Sequence, residues 1–276
     1  TPYTEIATVE QFQAKEEASQ KALDRIAADL ARVAPDIVII VGDDHGELFS
    51  PNNMPAVAIF HGDELLTKQW DVTPKTPDYR LTVIKGYAMD AVHRYPGAPD
   101  FAADLIARLM ARNFDVGSVK LVENSPQYGL GHAYGFVINR VFGGRAIPVV
   151  PILLNTYFPP NVPTAARCYD MGVAIREAIE ESKSDARVAI VASGGLSHFV
   201  VDEELDARVI SAMCTGDADS LRSLPAGALN SGSSEILNWI LVAGAIVGLT
   251  NRWMEYQPIY RTPAGTGIGV GFGVWE

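Results

Sequence analysis

Five histidines occur in this chain of 276 residues, and three of them sit in glycine-rich segments. His45 lies in Gly42-Asp43-Asp44-His45-Gly46-Glu47, His132 in Gly129-Leu130-Gly131-His132-Ala133-Tyr134, and His198 in Gly194-Gly195-Leu196-Ser197-His198. Glycine lets a backbone come close to a ligand. Imidazole both transfers protons near neutral pH and ligates metals. Any one such histidine is more often a loop residue bonded to a carboxylate. Three in similar settings point jointly to a site. Glu235, in Ser231-Gly232-Ser233-Ser234-Glu235, adds a carboxylate. The serines read as a helix N-cap with Glu235 in the first turn, where the helix dipole alone would favour an acid. The same position could turn its carboxylate into a pocket. Asp43 and Asp44 are weaker candidates, suited to orienting an imidazole from behind. His61 and His93 lack comparable surroundings and read as structural or surface residues.

The elements that would position these groups follow from periodicity. Thr8 and Gln11 form a capping-box signature, and Phe12, Leu23, Ile26, Leu30 and Val33 recur at helical spacing up to Pro35. Ile37 to Val41 is a continuous apolar, β-branched run, the mark of a strand covered on both faces in a parallel sheet. The alternation continues: a helix over 101–112, strands over 119–122 and 147–154, a helix over 163–179 and a strand over 187–192. Further helices are predicted up to Gly248, then terminal strands over 254–260 and 267–274. His45 and His198 both follow strand ends, where ligands gather in open α/β sheets. His132 falls in a loop on this reading. Residues 65–97, rich in Pro, Tyr and charge, read as a surface excursion. The expected fold is α/β, one domain over 1–276 with a central, mostly parallel or mixed sheet flanked by helices.

Bulk properties narrow the partners. A net charge of −11 argues against nucleic acid and anionic membranes. No apolar stretch reaches the length of a membrane span, and no signal peptide is evident, so a cytoplasmic location is expected. Cys168 and Cys214 have no metal-binding spacing and read as reduced, buried thiols. Glycines alternating with β-branched residues at the C-terminus read as a tightly packed strand, not a nucleotide loop.

In this order the four segments around His45, His132, His198 and Glu235 resemble the class III extradiol ring-cleavage dioxygenases, the family of the protocatechuate 4,5-dioxygenase catalytic subunit. The similarity runs from about Pro35 to Gly269 and includes Pro159-Pro160 and Arg167-Cys168. The resemblance implies Fe(II) held by two histidines and a glutamate. It makes His45 and Glu235 metal ligands, His198 the acid-base histidine and His132 a second histidine near the substrate. It implies a catechol- or aminophenol-type substrate and O₂, a homo-oligomer and, in some members, a small helical partner subunit. The family's first iron histidine lies in an N-terminal Ser-His motif, expected upstream of Thr1. Where protocatechuate enzymes carry Ser and Asn after a Pro-Ala pair, Pro263-Ala264 is followed by Gly265-Thr266, which are expected to face the substrate. Two other readings remain: a non-catalytic relative acting as a binding subunit, and a zinc-dependent hydrolase or lyase.

Overall fold

The computed structural model describes residues 3–261 and 266–276. In chain order the first half holds α1 (Tyr3–Ile6), α2 (Val9–Val33), β1 (Ile37–Asp43), β2 (Val57–Phe60) and β3 (Glu64–Leu66). Then come α3 (Asp78–Gly86), β4 (Arg94–Pro96), α4 (Pro99–Ala111), β5 (Gly117–Val119) and α5 (His132–Val141). The second half holds β6 (Val149–Leu154), α6 (Ala165–Glu180), β7 (Val188–Ala192), α7 (Glu203–Thr215) and α8 (Ala218–Arg222). A 3₁₀ turn (Ser231–Glu235) leads into α9 (Ile236–Ala245), followed by β8 (Asn251–Ile259) and β9 (Ile268–Trp275). The chain divides into two compact units. The sheet unit comprises 33–163 and 174–193; the hairpin unit comprises 1–32, 164–173 and 194–276.

The sheet unit is built on a mixed five-stranded sheet in the order β5-β2-β6-β1-β7. β1 pairs in parallel with both β6 and β7, whereas β2 runs antiparallel to β6. Every residue of β1, β2 and β6 is buried, as their unbroken apolar runs require. This is the α/β class with a mixed central sheet that the sequence predicts. β5 lies at 117–119, slightly before its expected place. Residues 65–97 are more than a surface excursion: they contain α3, most of the β3–β4 pair and the buried side chains Leu65, Ile84 and Met89. Elements this short leave little periodicity to read.

The terminal strands do not join the central sheet; β8 and β9 pair with each other as an antiparallel hairpin. Leu196–His198 adds to that hairpin. The Leu196 N–H donates to the Gly269 carbonyl (2.9 Å) and the Gly269 N–H to the Ser197 carbonyl (2.8 Å). All ten residues of α9 are buried. Its close neighbour is the N-terminal half of α6: a Cβ on Gly244 would stand 2.1 Å from the Tyr169 carbonyl oxygen, and one on Gly172 1.9 Å from that of Leu241. Both cysteines are free, Cys168 buried as expected and Cys214 half-buried.

Candidate active site

In the sheet unit, β1 delivers its last residue, Asp43, to the carboxyl edge of the sheet, and the turn after it carries His45 and Glu47. That turn is organised by Asp44. Its buried carboxylate accepts the N–H groups of Gly46 (3.0 Å), Glu47 (2.6 Å), Leu48 (3.1 Å) and Phe49 (2.7 Å). Burial, with the Glu47 charge, pushes the Asp44 carboxyl up to about 6 even against these donors. His45 Nε2 lies 2.6 Å from Asp43 Oδ2. Asp43 is 1% exposed, and its other oxygen is buried without a hydrogen-bond partner among the described residues.

His132 is not in a loop, as its glycine-rich segment suggests, but is the first residue of α5. Apolar residues at Ala133, Val137, Ile138 and Val141 carry the helical spacing that could have revealed this. Tyr134 anchors the helix start, donating its buried hydroxyl to the carbonyls of Gly42 and Ile152, both at 3.0 Å. Gly42 allows the approach, since a Cβ there would meet the Ala133 Cβ at 2.8 Å. The imidazole of His132 donates from Nδ1 to Glu47 Oε1 at 2.8 Å. Glu47 is 4% exposed and also accepts the His45 N–H at 2.6 Å. Burial works against both charges of this pair, but their mutual contact prevails. Glu47 is held down to about 2 by His132, with His45 adding to the pull, and His132 is raised by Glu47. Nothing local in the sequence marks Glu47, although it lies two residues after His45.

The rings of His45 and His132 lie 4.6 Å apart, with Tyr157 edge-on to His45 at 4.4 Å. Asp43, His45 and His132 each offer one donor atom, and these three atoms lie within 4.8 Å of one another. Two imidazole nitrogens and a carboxylate oxygen suit a divalent first-row ion. An unpartnered buried carboxylate oxygen beside them is the group such an ion would satisfy. The residues fit a metal.

The hairpin unit holds the other pair. His198 donates from Nδ1 to the Leu196 carbonyl at 2.8 Å. A carbonyl only accepts, so that nitrogen carries the proton and Nε2 is left to work. Nε2 lies 3.3 Å from Glu235 Oε1. The other Glu235 oxygen accepts the Gly195 N–H at 2.8 Å. Glu235 is buried and ends the 3₁₀ turn, immediately before α9 rather than inside its first turn. Ser233 Oγ accepts the His198 N–H at 3.0 Å, so that serine serves the histidine and not the helix end.

Each unit thus gathers two of the four principal candidates: His45 with His132, and His198 with Glu235. Thr266 is exposed, and Gly265 lies outside the described residues. His93 pairs with Asp90 at the surface, as a structural histidine would. An open cleft of about 610 Å³ in the sheet unit is lined by Ile37, Pro99, Asp104, Arg108 and Lys183 and contains none of the candidates. Ile37 begins β1, so this cleft is at the opposite end of that strand from His45.

Comparison with known proteins agrees with this chemistry. Residues 4–270 match a family described as the catalytic LigB subunit of aromatic ring-opening dioxygenase. A gallate dioxygenase from Pseudomonas putida is 33% identical over 133 residues, covering 44% of this chain and 38% of the relative. A 2,3-dihydroxyphenylpropionate/2,3-dihydroxicinnamic acid 1,2-dioxygenase from Comamonas testosteroni is 25% identical over 183 residues, covering 66% and 49%. The matches span less than half the length of either relative.

Proposed function

We propose a function from one premise: the chain belongs to the LigB family, the catalytic subunits of aromatic ring-opening dioxygenases. Our reading is an Fe(II)-dependent extradiol dioxygenase that breaks the ring carbon–carbon bond next to the two substituted carbons of a catechol- or aminophenol-type ring, with both atoms of O₂ entering the product. The observation that carries it is the donor cluster at the end of β1, where Asp43, His45 and His132 converge within 4.8 Å. The family motif assigns His45 and Glu235 to iron; in the sheet unit the donors beside His45 are Asp43 and His132. When bound, the iron would supply a redox-active centre at which the ring diol and O₂ exchange electrons in fixed geometry.

The protein's own residues then have separate tasks. His198, with its Nδ1 proton committed to the Leu196 carbonyl, presents Nε2 to take a proton from a ring hydroxyl and return it later. His132 has its Nδ1–H held by Glu47, so Nε2 is the atom it offers at the cluster, to a metal or to a substrate oxygen beside it. Tyr157 packs edge-on against the imidazole of His45, and Tyr87 lies tilted beside that of His132. Gly265 and Thr266 would face the substituent of the ring. On this reading the protein works in the cytoplasm as a homo-oligomer.

The test is anaerobic Fe(II) loading of protein with its native N-terminus, then O₂ uptake with a panel of catechols and aminophenols. Oxygen consumption with a yellow ring-opened product is expected. His198→Ala should lower turnover by about 10²–10⁴-fold, and Glu235→Ala should lose both iron and turnover. Zinc-dependent activity without O₂ uptake, or no iron bound at all, would overturn the proposal.

A further inference from the structure

Asp206, on α7, is 0% exposed. Among the described residues its carboxylate has no salt-bridge partner. It accepts the Ser197 N–H at Oδ1 (2.8 Å), and the Ser197 hydroxyl (2.7 Å) and the Tyr256 hydroxyl (2.6 Å) at Oδ2. A buried acid with three neutral donors is costly to retain unless its bonds define something. Two of the three end on the residue immediately before His198. Ser197 Oγ in turn accepts the Asp202 N–H at 2.8 Å, tying the segment to the start of α7.

The surroundings leave His198 little latitude. A Cβ on Gly195 would stand 2.6 Å from its Cε1, and one on Gly232 2.3 Å from its Cβ. The ring therefore occupies a slot walled by two glycines. Phe199, the next residue, has φ = 62°, a left-handed conformation that non-glycine residues seldom adopt and that needs other contacts to hold it. The glycine-rich tail, which reads only as a packed strand from sequence, has a role here as well. A Cβ on Gly269 would meet Asp206 Oδ2 at 2.0 Å, so Gly269 makes the room the carboxylate occupies.

We propose that Asp206 is a positioning residue for His198, acting through Ser197 and anchored on its other side by Tyr256. The bond from Oδ1 fixes the Ser197 backbone and that from Oδ2 fixes its side chain. The peptide that carries His198 is then set from both ends, because the His198 N–H is itself taken by Ser233. Fixing this peptide fixes the Nδ1–H···O=C bond to Leu196, and with it the position and tautomer of the working nitrogen. This assignment rests on the acid-base role of His198 proposed above.

The test uses the full chain and reads the ring directly. The imidazole nitrogens of the five histidines are followed by long-range ¹H–¹⁵N correlation in zinc-loaded protein, beside steady-state turnover of the iron-loaded form. In the wild type, His198 should show a proton localised on Nδ1. In Asp206→Ala its nitrogen shifts should move to the averaged values of a mobile ring, with the other histidines unchanged. At the same time kcat should fall about ten- to a hundred-fold with KM nearly constant. Asp206→Asn, which keeps one accepting oxygen, should restore part of both. Should Asp206→Ala not fold, Asp206→Asn and Tyr256→Phe, which preserve volume, carry the test with intermediate effects. Wild-type His198 shifts in all the folded variants would overturn the assignment. Absence of turnover in the wild type would count against the dioxygenase reading instead, while the shifts would still decide the role of Asp206.

Discussion

Replacing Glu47 by Gln changes one atom in the sheet-unit cluster and tests how that cluster is held. Glu47 accepts two hydrogen bonds, one from the His45 backbone and one from His132 Nδ1, with almost no exposure to water. Glutamine has a single accepting oxygen. Whichever donor keeps it, the other N–H meets an NH₂ group. One charge-assisted bond is lost, about 1.5–3 kcal/mol, and the opposed donors add to that. A loss of about 2–4 kcal/mol is expected, a large share of the roughly 5–15 kcal/mol that stabilises a typical fold. The depression of Glu47 below the ordinary carboxylate range, won by His132 and His45 against burial, has the same sign. If the cluster of Asp43, His45 and His132 holds the metal, affinity should fall about 10–100-fold, the usual effect of removing a carboxylate behind a ligating histidine.

Two measurements check this: urea unfolding of the metal-free protein, and Co(II) titration followed by its visible absorption. The pH dependence of unfolding adds a third, and its sign follows from the two shifts. Glu47 is depressed, so its contribution is complete above about pH 4.5 and lost as pH falls through about 2. His132 is raised, so its contribution is complete below about pH 6.5 and lost as pH rises through its elevated value. Glu47→Gln should flatten both limbs. Gly131→Ala should act alike, because its Cβ would stand 2.4 Å from Glu47 Cδ and displace the same carboxylate. If Glu47→Gln keeps wild-type Co(II) affinity and unfolds within about 0.5 kcal/mol of the wild type, the reasoning fails.

Two further predictions concern the hairpin unit. Gly244→Ala drives a methyl against the Tyr169 carbonyl and should destabilise the α6–α9 contact by about 1–3 kcal/mol, visible in thermal unfolding; an unchanged midpoint would mean the helices can part without cost. Asp29 accepts the Trp253 indole N–H at 2.9 Å and is held below the usual carboxylate range chiefly by that bond, with Arg32 assisting. Its contribution should be complete above about pH 4 and lost as pH falls through its lower folded value. Trp253 fluorescence in acid should report this, and Asp29→Asn should remove that acid transition.

What the sequence made legible was whatever depends on neighbours along the chain. β1 announced itself because a strand covered on both faces needs an unbroken apolar run, and the histidines flanking strand ends followed from that. β2 was missed because four apolar residues, Val57–Phe60, are too few to show a period. α5 reads as a loop because Gly129 and Gly131 precede it and the helical spacing begins only at His132. The strands at the C-terminus were recognised but not their partner, since pairing is a tertiary choice. Glu47 and Asp206 were invisible for a related reason. Glu47 reaches His132 across 85 positions, and Tyr256 reaches Asp206 across 50. No local pattern records such bonds.

The tertiary bonds explain why His132 and His198 are not two copies of one device. Each is tied through Nδ1, which leaves Nε2 as the working atom, but the tethers differ in charge. His132 is held by a buried carboxylate, which fixes the tautomer and stabilises the ring when it is protonated. His198 is held by a backbone carbonyl, which fixes the tautomer without bringing a charge of its own. The charge beside His198 stands instead at its other nitrogen, where Nε2 lies 3.3 Å from the Glu235 carboxylate. A group that steadies negative charge on a substrate oxygen is better served by the first tether. The two rings are thus backed differently, His132 by a carboxylate at Nδ1 and His198 by a carbonyl at Nδ1 with a carboxylate near Nε2.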